Sequence, residues 1–222
     1  GTFLQARIPL LSGVTGVFDP NVDAIKIGNG AGTTSQGADG VAIGHDAGTT
    51  SQAADSVAIG HDAATTSQGT KSVAIGNLAA TTSQGTRSVA VGYAAGWNTQ
   101  GDNAVAVGQH AAQNRQGVDA VAVGNRAGQT DQGPDSIAIG YYAGNSDQTS
   151  NAVAIGFESG KTNQGASAVA IGTEAGETNQ GDSTIAVGQL AGQTNQHDNS
   201  IILNASGSAL NSVGASRFYV KP

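Results

Sequence analysis

The stretch Val41-Ala42-Ile43-Gly44 returns as Val57-Ala58-Ile59-Gly60 and again as Val73-Ala74-Ile75-Gly76. The interval is 16 residues, and it continues without insertion or deletion from residue 25 to residue 200, followed by a degenerate copy at residues 201–204. With Val41 at position 1, residues 25–200 form eleven repeats, and position 4 is glycine in every one. Sixteen residues are too few for a helical hairpin repeat and suit one coil of a β-solenoid.

The sequence therefore predicts an all-β fold, a parallel β-solenoid (β-roll) of about eleven 16-residue coils. Positions 1 to 3 are β-branched, small and β-branched, which favours a strand, and the glycine at position 4 permits a sharp corner. A second strand is expected at positions 8 to 12. Because side chains alternate along a strand, we expect positions 1, 3, 7, 10 and 12 to line the coil interior.

Position 12 is glutamine in all eleven repeats. A buried glutamine requires partners for both ends of its amide, and coils stacked at about 4.8 Å would let each amide reach the next. The sequence predicts a glutamine ladder inside the coil; a glutamine that caps a turn from the surface is the alternative. The ladder consists of Gln36, Gln52, Gln68, Gln84, Gln100, Gln116, Gln132, Gln148, Gln164, Gln180 and Gln196.

Position 2 is alanine in ten consecutive repeats. If positions 1 and 3 face inward, this alanine faces outward, where a solvated strand would carry varied polar residues. We therefore expect identical chains, three around a threefold axis, to pack along an alanine stripe. The predicted trimer interface consists of Ala42, Ala58, Ala74, Ala90, Ala106, Ala122, Ala138, Ala154, Ala170 and Ala186.

Composition limits the class of protein. Glycine contributes 34 of 222 residues, aromatic residues are 4%, cysteine is absent and the net charge is −7. An acidic chain lacks the basic surface that nucleic acids and anionic lipids attract, and no apolar run reaches the ~18 residues of a membrane-spanning helix. We expect neither a nucleic-acid partner nor membrane insertion.

No motif points to catalysis. Residues 156–162 resemble a phosphate-binding loop, but only three residues separate the two glycines, where that loop needs four. His45-Asp46 and His61-Asp62 occupy equivalent corners one repeat apart, within reach of a shared metal, yet no third ligand repeats with them. The sequence predicts a protein that is not an enzyme, with no catalytic residue, cofactor or metal.

Five aromatic residues in the middle of the repeats are candidate receptor contacts. Exposed aromatic rings suit a glycan or a protein receptor, although packing between neighbouring chains would explain them as well. They are Tyr93, Trp97, Tyr141, Tyr142 and Phe157. A separate feature is the set of paired hydroxyls at positions 9 and 11 of the first four repeats, such as Thr49 and Ser51, which we call the hydroxyl grid. Such a grid is reminiscent of ice-binding solenoids, so ice binding is a further hypothesis.

The repeat phrases Ser56-Val57-Ala58-Ile59-Gly60 and Ser72-Val73-Ala74-Ile75-Gly76 resemble the motif of the head domains of trimeric autotransporter adhesins, the YadA type. The resemblance implies a homotrimer of left-handed parallel β-rolls that is non-enzymatic and touches host surfaces or matrix. Residues 204–210 and 217–222 are similar to the segment that precedes an endosialidase-type intramolecular chaperone in fibre proteins of phages and large viruses.

The sequence leads to a domain division and to three hypotheses of function. We expect an N-terminal cap or linker at 1–24, the solenoid at 25–204, and a C-terminal cap at 205–222 that links to a downstream domain. The first hypothesis is a rod segment of a virion surface fibre that displays loops for host attachment. The alternatives are a bacterial adhesin head that binds host matrix at the cell surface and an ice- or glycan-binding solenoid.

Overall fold

The computed structural model describes residues 16–19 and 23–222. The predicted N-terminal cap or linker, residues 1–24, therefore lies mostly outside the described residues. The described residues form a parallel β-solenoid of 16-residue coils with no helix, which confirms the predicted fold class. We number the coils 1 to 11 from residues 25–40 to residues 185–200. None of the described segments is a helix long and apolar enough to span a bilayer.

Two sheets run along the solenoid: the first pairs a strand from every coil, and the second, on the opposite side, covers coils 4 to 11, while coils 1 to 3 have only isolated bridges there. The first sheet has 14 strands: β1 (Gly16–Asp19), β2 (Ala24–Ile27), β3 (Val41–Ile43), β4 (Val57–Ile59), β5 (Val73–Ile75), β7 (Val89–Val91), β9 (Val105–Val107), β11 (Val121–Val123), β13 (Ile137–Ile139), β15 (Val153–Ile155), β17 (Val169–Ile171), β19 (Ile185–Val187), β21 (Ile201–Asn204) and β22 (Phe218–Lys221). The second has eight: β6 (Ser83–Gln84), β8 (Thr99–Gln100), β10 (Asn114–Gln116), β12 (Thr130–Gln132), β14 (Ser146–Gln148), β16 (Thr162–Gln164), β18 (Thr178–Gln180) and β20 (Thr194–Gln196).

Every repeat pairs in exact register with the next. In β11 and β13, Val121 lies opposite Ile137 and Ala122 opposite Ala138, and the pairing is parallel. The two ends of the first sheet differ, because β1 pairs antiparallel with β2 whereas β22 pairs parallel with β21. Each residue of the solenoid therefore stacks on its sequence equivalent, so a repeat position becomes a column along the rod.

The glycine at position 4 makes the first corner and the tight stacking possible. Gly44 has a φ of +131°, a conformation that other residues rarely adopt. A Cβ on Gly44 would also lie 2.5 Å from the carbonyl oxygen of Gly60 in the next coil. The column of position-4 glycines therefore has a conformational cause, the corner that the sequence predicted, and a steric cause, the close stacking of coils, which the structure adds.

Further left-handed residues shorten and bend the coil. Position 15 is in this conformation in every coil, for example Asp119 with φ 58°, and so is position 11 from coil 6 onward, for example Asp131 with φ 54°. Asp and Asn tolerate this region better than other non-glycine residues. The left-handed residue at position 11 breaks strict alternation in coils 6 to 11, and in every coil that has a second strand this strand covers at most positions 10 to 12. The expectation that position 10 faces inward is wrong for Thr50, Thr66 and Thr82, which are exposed.

On the side of the first sheet, the coil interior holds the smallest side chain of each strand. Ala138 is fully buried, whereas its neighbours Ile137 and Ile139 remain partly exposed. A Cβ on Gly144, at position 8 on the opposite side of the coil, would approach the Ala138 Cβ to 3.1 Å. Nothing larger than alanine fits between the two sides, so the expectation that positions 1 and 3 line the interior is wrong.

Position 16 also faces the interior, which the sequence analysis did not identify. It is serine, threonine, alanine or glycine, and Ser136 there is fully buried with its hydroxyl donating to the Gly133 carbonyl oxygen at 2.6 Å. At the C-terminal end the interior becomes larger and more apolar. Ile202 replaces the position-2 alanine, is fully buried, and packs with Leu210 and Tyr219.

Candidate interaction surface

The outer face of the first sheet is apolar from β2 to β22. Positions 1 and 3 place Val and Ile side chains on this face in every coil, and these side chains are half-buried or exposed. β22 extends both columns, because Phe218 pairs with Ile201 and Val220 with Leu203. Phe218 is 64% exposed and Val220 56%. We call this face the aliphatic face; an apolar stripe that runs the length of a rod is typical of an interaction surface.

The alanines expected at the trimer interface lie elsewhere. All ten have no exposed surface in the single chain, because they fill the coil interior: Ala42, Ala58, Ala74, Ala90, Ala106, Ala122, Ala138, Ala154, Ala170 and Ala186. A side chain enclosed by its own chain cannot contact a neighbouring chain. The aliphatic face takes the place that the sequence analysis gave to the alanine stripe.

The glutamines at position 12 extend from the second sheet across the interior. Gln148 Nε2 donates to the Ile137 carbonyl oxygen at 2.9 Å and to Gln164 Oε1 at 2.9 Å. The same amide-to-amide bond links Gln84, Gln100, Gln116, Gln132, Gln148, Gln164, Gln180 and Gln196 in one series. These glutamines are buried and paired, as a glutamine ladder requires.

The ladder is incomplete in the first coils. Gln36, Gln52 and Gln68 donate to backbone carbonyls across the coil, but their Oε1 atoms and that of Gln84 lack a hydrogen-bond partner. The glutamines of coils 1 to 3 therefore hold their own coils closed without joining one coil to the next.

Three of the five candidate receptor residues form one cluster. Tyr141 and Phe157 occupy position 5 of coils 8 and 9 and stack with ring centroids 5.3 Å apart and planes 11° apart; each is 46% exposed. Tyr142 meets Tyr141 edge-on, with centroids 4.5 Å apart. The other two residues, Tyr93 and Trp97, lie in coil 5, away from this cluster, and are also exposed.

Charged side chains surround the aromatic cluster. Arg126 donates to the Tyr142 hydroxyl, and Lys161 Nζ lies 5.8 Å from the Tyr142 ring centroid. Lys161 Nζ also contacts Glu158 Oε2 at 2.9 Å and Glu177 Oε1 at 3.8 Å. The hydrogen bond that Lys161 donates to the Glu158 carboxylate raises the pKa of Lys161, which favours its charged form. The cluster thus combines flat ring faces with fixed hydrogen-bonding groups.

Two other sequence motifs acquire ordinary roles in the coil. Gly160, in the segment that resembles a phosphate-binding loop, faces the interior, where a Cβ would lie 2.7 Å from Gln164 Cδ. The hydroxyl of Thr49, one of the residues of the hydroxyl grid, donates a hydrogen bond to the Asp46 carbonyl oxygen at 2.6 Å. The first segment is a coil corner, and the second is an internally bonded turn.

The family comparison agrees with this architecture. The model of the YadA head domain repeat, which holds two copies, matches residues 35–63, 51–79, 67–95 and 83–111. Residues 35–111 are similar to YadA head domain repeats. These windows advance by 16 residues, the period of the coils, and together cover about a third of the chain. No curated protein and no solved structure matches the chain significantly.

Proposed function

We propose that this chain is a head segment of a homotrimeric surface adhesin, in which three parallel solenoids pack through their aliphatic faces. The observation that carries the proposal is the unbroken apolar column on the outside of a chain whose interior is already filled. The match to YadA head domain repeats supports the same assembly, because the family it resembles is trimeric. The trimer would be a stiff rod that displays its corners and its second sheet.

The burial of the aliphatic face supplies the stability of this assembly. A single coil buries mainly alanine, glycine and serine, so the hydrophobic stabilisation within one chain is small compared with a core of large side chains. Partly exposed Val and Ile side chains, two in each coil, are the largest apolar groups that assembly can still remove from water. The proposed interface therefore provides the large apolar contacts that the interior lacks.

A cross-linking experiment tests this arrangement. The chain has no cysteine, so Ile139→Cys introduces a single thiol on the aliphatic face, and Thr82→Cys introduces one at an exposed position that directly precedes strand β6 of the second sheet. With a short bismaleimide, Ile139→Cys should give covalently linked chains in high yield, and Thr82→Cys should give only background. Equal yields from the two variants, or more product from Thr82→Cys, would show that the aliphatic faces do not meet.

Receptor binding is proposed for the aromatic cluster. The stacked rings of Tyr141 and Phe157 offer a flat apolar surface for one face of a sugar ring, and Lys161, Glu158 and Glu177 offer hydrogen bonds beside it. Neighbouring coils supply matched replacements, because position 5 is Asn125 in coil 7 and Thr173 in coil 10. The double variant Tyr141→Asn/Phe157→Thr should lose glycan binding on an array with no loss of fold; retained binding would move the site elsewhere, to Tyr93 or Trp97 first.

A virion fibre is the second candidate. The observation in its favour is the C-terminal sequence at residues 204–210 and 217–222, which resembles the segment before an intramolecular chaperone. The same aliphatic face would hold a trimeric fibre rod together, so the two candidates share an assembly and differ in the surface that carries it. The sequence of the full gene product beyond Pro222 separates them, since a chaperone domain favours a virion and a membrane anchor favours a bacterial cell surface.

A further inference from the structure

Two histidines and two aspartates form a cluster at one corner of coils 2 and 3. His45 and His61 occupy position 5 of these coils, and their rings stack with centroids 4.9 Å apart and planes 9° apart. Their side chains are 50% and 55% exposed. Among the described coils only these two carry the His-Asp pair, because coil 1 has Asn29-Gly30 and coil 4 has Asn77-Leu78 there.

The left-handed backbone at position 6 brings each aspartate beside its own histidine. Asp46 has φ 54° and Asp62 φ 56°. His45 Nδ1 lies 3.0 Å from Asp46 Oδ2, and His61 Nδ1 lies 2.7 Å from Asp62 Oδ2. On His45, the Asp46 carboxylate fixes the ring and leaves Nε2 as the free electron-pair donor, which is the usual environment of a metal-bound histidine. On His61, the Asp62 carboxylate lies beside Nδ1, so this nitrogen and a carboxylate oxygen of Asp62 can turn toward the same ion.

The ligand atoms already lie close together. One nitrogen of His45, one nitrogen of His61 and one carboxylate oxygen of Asp62 are all within 4.8 Å of one another. Zinc bonds to nitrogen at about 2.0–2.1 Å in a tetrahedral arrangement, which places two ligand nitrogens roughly 3.3 Å apart. Exposed imidazoles can close this gap by side-chain rotation alone, so the backbone stacking need not change.

We propose that His45, His61 and Asp62 bind one Zn²⁺ ion in each chain, with water completing the coordination. Two neutral imidazoles and one carboxylate form a common ligand set for this cation, and Asp46 orients His45 from the side. The sequence analysis argued against a metal because no third ligand repeats with the histidines. The structure places Asp62 within reach, so the third ligand comes from within the pair itself.

The location gives the ion a structural role. His45 and His61 belong to different coils, and Gln52 and Gln68 of those same coils lack the amide-to-amide bond that joins later coils. A shared ion would join coil 2 to coil 3 at the corner. Because the ion binds the folded coils and not the unfolded chain, zinc should raise the melting temperature of this part of the solenoid.

Zinc titration of the chelator-treated full chain by calorimetry tests the proposal. We expect one ion per chain in the wild type and an affinity loss of about tenfold or more in His45→Asn, in His61→Asn and in Asp62→Ala. The repeat already accepts these replacements, because Asn77 occupies position 5 in coil 4 and Ala94 occupies position 6 in coil 5. Circular dichroism of each variant checks that the solenoid is intact.

The matched control is His197→Thr, which removes a histidine at position 13 of coil 11, where coil 8 has Thr149. It should bind zinc as the wild type does. Zinc affinity that is unchanged in the double variant His45→Asn/His61→Asn, or that falls only in His197→Thr, would overturn the proposal. A ratio of one ion per three chains would overturn it as well, because the proposed site is complete within one chain.

Discussion

Gln148 Nε2 donates to Gln164 Oε1 at 2.9 Å, from one coil to the next, while it also donates to the Ile137 carbonyl oxygen across its own coil at 2.9 Å. One amide therefore both closes a coil and joins it to its neighbour. A coil interior lined by alanine and glycine has little apolar area to bury, so the hydrogen bonds of this column become a large part of what stabilises the stacking.

The same replacement, glutamine to leucine, made separately at two positions distinguishes the bonds within a coil from the bonds between coils. Gln148→Leu removes bonds to Gln132 and Gln164 in addition to the bonds within its coil, whereas Gln52→Leu removes only the latter. At about 0.5–1.5 kcal/mol for each hydrogen bond, Gln148→Leu should lower the free energy of unfolding by about 1–3 kcal/mol more than Gln52→Leu. Urea denaturation measures both; equal losses would argue against the amide-to-amide bonds.

Two glycines of coil 5 should respond very differently to alanine. Gly92 at position 4 has φ +131°, and a Cβ there would lie 2.6 Å from the Gly108 carbonyl oxygen. Gly96 at position 8 has φ +55°, and alanine already occupies position 8 in three coils, as in Ala64. Gly92→Ala should destabilise the chain by more than about 3 kcal/mol, because strain and a backbone clash combine.

Gly96→Ala is the control and should cost about 1 kcal/mol or less, since the loss of freedom in the unfolded chain offsets part of the left-handed strain. Thermal unfolding of both variants compares them under the same conditions. A Gly92→Ala protein as stable as Gly96→Ala would contradict the close stacking at the first corner.

Adjacent residues of β13 distinguish the interior from the interface. Ala138→Leu adds bulk where the opposite wall is in contact, so it should destabilise each chain by more than the about 1–3 kcal/mol typical of an overfilled core. Ile139→Glu places a charge on the aliphatic face and should dissociate the assembly with the strand content retained. Circular dichroism measures the strand content and thermal stability of each variant, and light scattering measures its mass in solution. If Ala138→Leu dissociates the assembly and Ile139→Glu does not, the alanines and not the aliphatic face form the contact between chains.

His110 should make stability depend on pH. Burial, and secondarily the charge of Arg126 at the same position one coil on, lower its pKa below the ordinary value of 6.5; the Tyr93 ring packs edge-on against it at 5.1 Å. The unfolded chain therefore takes up a proton before the folded one does, and the stabilisation present above about pH 6.5 is lost as the pH falls through the folded pKa. The melting temperature should fall more steeply between pH 7.5 and 5.5 in the wild type than in His110→Ala, which copies Ala94. Parallel slopes would refute this.

The period, the corner glycine and the inward glutamine could be predicted from the sequence because each repeats without exception. The direction of Val41, Ala42 and Ile43 could not, since a strand that is apolar on both faces does not show by alternation which face is enclosed. The volume of the coil decides it: Gly48 and Gln52 approach from the other side, and only alanine fits. The larger side chains, which usually fill a core, are therefore left outside.

The pairing of His61 with Asp62 also depends on conformation that the sequence pattern did not reveal. A left-handed φ at Asp62 folds its carboxylate back toward the preceding residue. The clustering of Tyr141 with Phe157 follows directly from their 16-residue separation. Contacts between equivalent residues of successive coils can thus be predicted from the 16-residue spacing, whereas contacts between neighbouring residues of one corner can be predicted only when the backbone angles are known.

Light scattering of the purified wild-type chain tests the central claim, that the aliphatic face is the contact between three chains. The mass of one chain is 21.7 kDa. We expect a single species with three times that mass that persists on dilution and in high salt, because salt does not screen an apolar interface. A stable, folded species with the mass of one chain would contradict it.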